Sequence, residues 1–215
     1  MAKNQVVAPL GGGAVSGTSS GDQISGSGAS DDIETGSGRN KVIAANGDDT
    51  IVGGSNRDNL VGNNGNDRIE GRASNDTLNG RNGNDFLDGG AGNDKLYGGN
   101  DSDYLRGGDG NDKLFGADRS NGDAVTDYFA FDKADGHDTV FNFEIGVDRI
   151  YLEEGGNASL SYNAKTGNTT MTYDSTVVTF KGVDLTHVDM ANLYATDSEI
   201  DAFGTAHYGN PDFNM

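Results

Sequence analysis

Residues 80–116 read GRNGNDFLDGGAGNDKLYGGNDSDYLRGGDGNDKLFG, and they repeat one nine-residue unit four times. Each unit opens with glycine, carries Asp at its sixth position and places Leu at its eighth. The same spacing continues upstream without a break, so that Asp or Asn recurs at Asp22, Asp31, Asn40, Asp49, Asp58, Asp67, Asp76, Asp85, Asp94, Asp103 and Asp112. A fixed period of this kind indicates a repeat architecture, in which the unit determines the fold.

A large aliphatic residue follows each of these positions by two residues. Side chains alternate between the two faces of an extended segment, so the aliphatic residue can point into a core while its neighbours point outward. The aliphatic positions are Ile24, Ile33, Val42, Ile51, Leu60, Ile69, Leu78, Leu87, Leu96, Leu105 and Leu114. One unit then supplies one turn and one short strand, and two units complete a coil. We predict an all-β fold, a parallel β-roll of nonapeptide repeats.

The turns of such a roll carry the chemistry of a calcium site. Glycine permits a positive φ, so the backbone before Asp can curl and direct its carbonyl oxygens to one point. Calcium takes roughly 6–8 oxygen ligands, and carbonyls with carboxylates suit it. The candidate carboxylates are Asp31, Asp49, Asp58, Asp67, Asp76, Asp85, Asp94, Asp103 and Asp112. The candidate glycines are Gly47, Gly65, Gly83, Gly92 and Gly110.

Units that lie eighteen residues apart stack on the same edge of the roll. Six stacked turns on one edge leave five gaps, and five on the other leave four, so we expect several calcium ions and about nine at most. The alternatives are a metal-free solenoid and a disordered Gly/Asn-rich linker. A linker would not keep an aliphatic residue at a strict spacing, and a metal-free solenoid would not need a carboxylate in every turn.

These repeats resemble the RTX family, the hemolysin-type calcium-binding proteins that include β-roll modules of alginate epimerases and serralysin-type proteases. The resemblance covers residues 17–116 as repeats, and residues 127–132 and 135–140 look like the segment that closes such rolls. It implies a secreted protein that folds on calcium and leaves the cell through a type I exporter reading a C-terminal signal. The early units depart from the pattern, as do the glycine slots occupied by Asn56, Ser74 and Asp101.

Four segments follow from the pattern. We expect a flexible N-terminus over 1–16, the roll over 17–116, a β capping region over 117–187 and a short helical tail over 188–215. The capping region begins where an insertion breaks the nine-residue phase, and residues 163–168 read as a hairpin loop. The tail either acts as the exporter signal or is an ordinary capping helix with a frayed end.

Composition favours a folded form outside the cell, secreted or at the cell surface. The chain has 35 glycines, no cysteine and a net charge of −19. Stacked carboxylates repel without calcium, so site and fold should form together where calcium is abundant. No stretch approaches the roughly 20 apolar residues of a transmembrane helix.

We predict that the chain is not an enzyme. The His-Glu-x-x-His motif of zinc proteases is missing from the sequence, and the repeat already explains the many carboxylates. We expect no nucleic-acid partner, because the glycine-rich turns carry Asp where a phosphate would be repelled. The expected role is structural or adhesive.

One predicted outward face carries lysines and aromatic residues but no acid: Lys41, Lys95, Tyr97, Lys113 and Phe115 belong to it. An acidic polysaccharide is a fitting partner for such a face, and binding of one is the first alternative function. The second alternative is a membrane-active RTX protein. It is disfavoured, because no long apolar helical segment precedes Gly17.

Overall fold

The structure, a computed structural model, describes residues 4–117, 124–153 and 158–208. Two sheets face each other across one core. The first sheet runs in the order β1 (Asn4–Val7), β3 (Asp22–Ser25), β5 (Lys41–Asn46), β7 (Asn59–Asn64), β9 (Thr77–Asn82), β11 (Lys95–Asn100), β13 (Lys113–Ala117), β15 (His137–Phe141), β19 (Thr176–Phe180), β18 (Asn168–Tyr173), β17 (Ser159–Asn163). The second runs in the order β16 (Arg149–Leu152), β14 (Tyr128–Phe131), β12 (Tyr104–Gly110), β10 (Phe86–Gly92), β8 (Arg68–Glu70), β6 (Thr50–Val52), β4 (Asp31–Glu34), β2 (Gly13–Ser16).

The aliphatic positions form two continuous inward ladders, and this confirms the predicted parallel β-roll. In the first sheet Leu60 pairs with Leu78, Leu78 with Leu96 and Leu96 with Leu114, all in parallel register. The side chains of these residues are fully buried. Stacking buries each aliphatic side chain against those of the coils above and below, which no single unit can achieve alone.

The N-terminal residues differ from the expectation of a flexible segment. Residues 4–16 form β1 and β2, which add one more coil to the two sheets. Val6 pairs with Ile24, and Val15 pairs with Ile33, so both valines occupy the inward aliphatic position of the ladder. The prediction was wrong for this segment because it counted repeats by their acidic residue, which this coil lacks. The inward valine is sufficient to add each strand to its sheet.

Beyond the repeats the same two sheets continue. Strands β14, β15, β16 and β19 add in parallel, and β17, β18 and β19 then pair antiparallel. The hairpin predicted at residues 163–168 is confirmed, since β17 ends at Asn163 and β18 begins at Asn168. Most of the insertion that breaks the repeat phase lies at residues 118–123, outside the described ranges.

The short helical tail is confirmed as helices α1 (Met190–Leu193) and α2 (Asp197–Tyr208). Helix α2 packs on the outer face of the second sheet, where Ile200 and Phe203 are buried against Phe86, Tyr104 and Tyr151. The final residues 209–215, part of the predicted export signal, lie outside the described ranges. Among the described helices, none has the length and apolarity that a membrane crossing requires.

Candidate metal centre

The acidic residues of each edge are joined by a ladder of hydrogen bonds that runs along the roll. One carboxylate oxygen, Oδ1, accepts the backbone N–H of the acidic residue one coil earlier. The N–H of Asp67 donates to Asp85 at 2.8 Å, and the N–H of Asp94 donates to Asp112 at 2.7 Å. Every turn therefore holds the carboxylate of the next turn in a fixed position.

The ladder continues past the repeats through three carboxylates that sequence reasoning did not assign to the site. Asp127 accepts from the N–H of Asp103 at 3.0 Å, Asp138 from Asp112 at 2.9 Å, and Asp148 from Asp127 at 3.1 Å. Insertions move them out of the nine-residue phase. A signal was present nonetheless: each precedes a buried apolar residue by two positions, as the repeat acids do.

The second carboxylate oxygen separates two classes of turn. In the first class it accepts a backbone N–H four residues earlier: Asp22 from Thr18 at 2.6 Å, and Asp58 from Gly54 at 3.1 Å. In the second class Oδ2 is buried without a hydrogen-bond partner among the described residues. Asp49, Asp76, Asp85, Asp94, Asp112 and Asp138 belong to this class. A buried unpaired polar atom is costly, and an ion is a common explanation for one.

The backbone divides the repeat turns in the same way. We call a turn doubly left-handed when the residues four and two positions before the Asp both have positive φ. Asp49, Asp67, Asp76, Asp85, Asp94, Asp103 and Asp112 all follow such a turn. Every repeat Asp with an unpaired Oδ2 belongs to this set. Two independent features therefore select the same turns.

The doubly left-handed turn does not always need glycine. Ser74 has a φ of 80° and Asp101 a φ of 74°, so the glycine slots before Asp76 and Asp103 keep their geometry with other residues. Asn56 does not, and Asp58 lies in the first class of turn. Asp31 also has its Oδ2 engaged, by the N–H of Ser27 at 2.6 Å, although its Oδ1 has no partner.

The glycines named from the sequence lie where successive turns come closest. A Cβ on Gly65 would lie 2.1 Å from the carbonyl oxygen of Gly47, and one on Gly83 would lie 2.1 Å from that of Gly65. On the other edge, a Cβ on Gly110 would lie 1.5 Å from the carbonyl oxygen of Gly92. At Gly65, Gly83 and Gly110 the carbonyl oxygen of the neighbouring turn thus takes the space that a Cβ would need.

The donor set fits calcium. Main-chain carbonyl oxygens and single carboxylates converge between stacked turns, and these are the hard oxygen ligands that calcium prefers. In the part of the chain that the structure describes, no three His, Cys, Asp or Glu side chains converge on one point. A calcium ion would therefore be held mainly by backbone carbonyls, with one or two carboxylates supplying the charge.

Burial makes the ionised carboxylates unfavourable in the roll. Desolvation raises the pKa of Asp85 to about 9 and those of Asp67 and Asp112 to about 8, from an ordinary 3.8. Desolvation also raises the pKa of Asp49 and Asp94, to about 6. A divalent cation between the turns would stabilise the ionised form and offset this desolvation cost.

The predicted lysine and aromatic face is only partly assembled. Lys95 and Lys113 are exposed neighbours on adjacent strands, and the ring of Tyr97 stacks on that of Phe115 with centroids 4.7 Å apart. Phe115 stacks in turn on Phe141 at 4.4 Å, so the rings cover each other's faces. Lys41 lies three strands away from Lys95 in the same sheet.

A scan against protein-family models matches the RTX calcium-binding nonapeptide repeat over residues 16–51, 25–60, 52–87, 61–96 and 88–118. The chain contains RTX calcium-binding repeats. These RTX repeats coincide with the stacked coils and with all the doubly left-handed turns. The protein is accordingly a calcium-binding β-roll protein.

One similar solved structure is the extracellular lipase LipA from Serratia marcescens, with 18% sequence identity and a TM-score of 0.40. The match covers 82% of this chain and 40% of the lipase chain. No curated protein matches the sequence.

Replacing Asp85 should weaken calcium-induced folding more than replacing Asp22. Asp85→Asn keeps the Oδ1 acceptor but removes the charge from a doubly left-handed turn. The matched variant Asp22→Asn changes a carboxylate whose Oδ2 already accepts an N–H. In calcium titrations followed by far-UV circular dichroism, the midpoint should rise several-fold for Asp85→Asn and little for Asp22→Asn. Equal midpoints would contradict the division into two classes of turn.

Acid should favour the metal-free roll. The buried carboxyls bind protons in the folded state at pH values where the unfolded chain has released them, because burial raises their folded pKa to about 6 to 9. Stability of the metal-free roll is therefore greatest near pH 4 and falls as pH rises toward 9. Metal-free protein should show more β signal in circular dichroism at pH 5 than at pH 8. The change should be smaller in Asp85→Asn; a larger β signal at pH 8 would contradict the argument.

Proposed function

We propose that this protein is secreted and folds outside the cell, where calcium assembles the roll into a rigid structural or adhesive element. The observation that carries the proposal is the set of seven doubly left-handed turns, each preceding an Asp. Five gaps lie between two such turns: Asp49 with Asp67, Asp67 with Asp85, Asp85 with Asp103, Asp76 with Asp94, and Asp94 with Asp112. We assign one calcium ion to each of these gaps, fewer than the nine that the repeat count alone allows.

Calcium dependence supports an extracellular location. The chain has no cysteine, so no disulfide can hold it, and calcium can take that stabilising role in the extracellular fluid. Inside a cell, where free calcium is low, the buried carboxylates would oppose folding. A chain that stays unfolded before export and folds afterwards suits transport through a type I exporter, which we propose reads the C-terminal tail.

A structural role accounts for the residues better than catalysis does. The buried acids form hydrogen-bonded ladders in the turns, and the repeat explains their spacing without any reaction. Of the described histidines, His137 and His187 have exposed side chains. We therefore propose no enzymatic activity. A stiff rod with its core sealed by the antiparallel strands β17 to β19 suits a scaffold or an adhesive stalk.

Binding of an acidic polysaccharide is a second candidate function. The favouring observation is that the outward positions of β3, β5, β7, β9, β11 and β13 carry no acid in a chain of net charge −19. Lys95 and Lys113 project from adjacent strands of this face and have no ion-pair partner within the described residues.

Calcium should convert the chain from a disordered to a β-rich state in one cooperative step, because site and fold form together. The measurement is far-UV circular dichroism in a chelator and after addition of excess calcium. Magnesium is the matched control: it demands a tighter octahedral shell and gives up its waters reluctantly, so it should not fold the chain at the same concentration. A β spectrum that the chelator leaves unchanged would refute the proposal.

A further inference from the structure

The edge of the roll that carries Asn40 and Asp58 holds a groove of about 390 Å³ with an unusual concentration of positive charge. Arg39, Lys41 and Arg57 all line it, and all three side chains are exposed. The chain has only 15 lysines and arginines against 34 acids, so three cations around one groove stand out from the rest of the surface.

None of these cations is paired directly with a carboxylate among the described residues, although Arg57 lies near enough to Asp76 to favour the ionised form of that carboxyl. The carboxylate that lines the groove belongs to Asp58, and it is buried with both oxygens engaged by the N–H groups of Asn40 and Gly54. Arg57 donates its Nε to the carbonyl oxygen of Asn75 at 3.0 Å, which leaves its two terminal nitrogens for another acceptor.

The roll gives a structural reason to regard Arg39 and Arg57 as exceptions. In the other repeat turns the residue before the acid is an Asn, Asp or Ser, except for Gly21 before Asp22. The side-chain oxygen of Asn66, for example, accepts the backbone N–H of Asn84 in the next coil at 2.9 Å, and that of Asn75 accepts the backbone N–H of Asn93 at 3.0 Å. Arginine has no acceptor atom, so it cannot join such a ladder. Two consecutive turns of one edge therefore forgo stabilising hydrogen bonds and present guanidinium groups instead.

We propose that this groove binds the carboxylate or sulfate group of an acidic polysaccharide. Arg39 and Arg57 occupy successive turns about 4.8 Å apart, a spacing at which two guanidinium groups can share one anionic group. A guanidinium presents a planar fork of donors that matches a carboxylate or sulfate. The assignment deepens the second candidate function and rests on the calcium-dependent fold, because the roll must form before the two turns stack.

The face beside the groove sets the direction of the polymer. Lys41 belongs to an outward row that continues through Asn59, Thr77, Lys95 and Lys113 in register. Four strand spacings separate Lys41 from Lys113, about 19 Å along the roll axis. A linear chain lying along this row would place one anionic group in the groove and another near the lysine pair.

Charge and stacking favour a polysaccharide over a nucleic acid. The net charge of −19 repels any polyanion. The repulsion is smaller for a polymer whose charged groups are widely spaced than for a nucleic acid, which carries a phosphate at every nucleotide. Single-stranded nucleic acids are commonly held by aromatic side chains on which bases stack. The aromatic rings of this face are stacked on one another, so the faces between Tyr97, Phe115 and Phe141 are already covered.

The test is isothermal titration of the calcium-loaded protein with short uronate oligomers, sulfated dextran, neutral dextran and single-stranded poly-dT. Arg39→Gln/Arg57→Gln should weaken binding of an acidic polysaccharide roughly tenfold or more, since it removes charge-assisted hydrogen bonds. The matched control is Lys165→Gln/Lys181→Gln, which makes the same charge change in the capping region. Lys95→Gln/Lys113→Gln should weaken binding through the second contact.

Measuring folding as well as binding distinguishes failure of this proposal from failure of the proposed function. Calcium-induced folding, followed by circular dichroism, should be the same in wild type and in all three variants, because the side chains are exposed. If the Gln variant does not fold, Arg39→Lys/Arg57→Lys retains the charge and loses only the planar fork, so it should fold and bind less tightly. Binding of the uronate or of the sulfated polymer supports the proposal and identifies the anionic group.

Three results would overturn the anion site while leaving the calcium-bound roll intact. The first is wild-type protein that folds on calcium and binds neither acidic polysaccharide. The second is equal loss of binding in the arginine variant and in the Lys165/Lys181 control, which would indicate a non-specific charge effect. The third is tighter binding of poly-dT than of either polysaccharide.

Discussion

The structure depends on a row of carboxylates that are stacked one coil apart and removed from water. Each carboxylate uses one oxygen to hold the backbone of the preceding turn, as Asp85 holds Asp67. In the doubly left-handed turns the second oxygen, as in Asp85 and Asp94, has no protein partner among the described residues. Like charges at this spacing repel strongly in a medium of low dielectric constant. The roll is therefore stable only where protons or cations neutralise the row, and its fold and its metal site are one property.

The outer faces of the two sheets differ in what covers them. Helix α2 covers the aromatic part of the second sheet, with Phe203 packed near Tyr104 and Tyr128 at centroid distances of 6.4 and 5.6 Å. Among the described residues no helix covers the first sheet over β5 to β13, and the outward positions of these strands carry lysines, amides and apolar residues rather than acids. Recognition of a partner is for this reason most readily assigned to the first sheet and its edge.

The repeats are not equivalent along the roll, although their spacing is. The first coils place polar atoms of their own backbone against the carboxylates, as Thr18 does for Asp22. In the later coils the Oδ2 atoms of Asp76, Asp85, Asp94 and Asp112 have no protein partner among the described residues. Arg57 precedes Asp58, which lies in a turn of the first class, and Arg39 precedes Asn40, whose turn has positive φ at Gly36 and Gly38 but brings no carboxylate. Arg39 and Arg57 thus lie in turns in which no carboxylate oxygen is left without a partner for calcium to bind.

The sequence by itself determined the parallel roll, its two inward ladders and the identity of the ion, because an aliphatic residue and an acid at a strict nine-residue period leave only one way to bury the first and stack the second. Gly-Asn-Asp ends at Asp67, Asp85, Asp94 and Asp112, and its glycine has a positive φ in all four turns. Spacing alone could not reveal β1 and β2, whose coil lacks the acid but keeps the valines.

Only the tertiary structure decided which carboxylates retain an unpaired oxygen, because that depends on backbone torsions at residues such as Ser74 and Asp101 whose identity does not require a positive φ. The eighteen-residue spacing of Arg39 and Arg57 already predicts neighbouring turns, but only the structure showed that the ladder continues to Asp138. Residues that are eighteen or more positions apart in the chain become neighbours only after the coil closes, and insertions hide that relation from any fixed period.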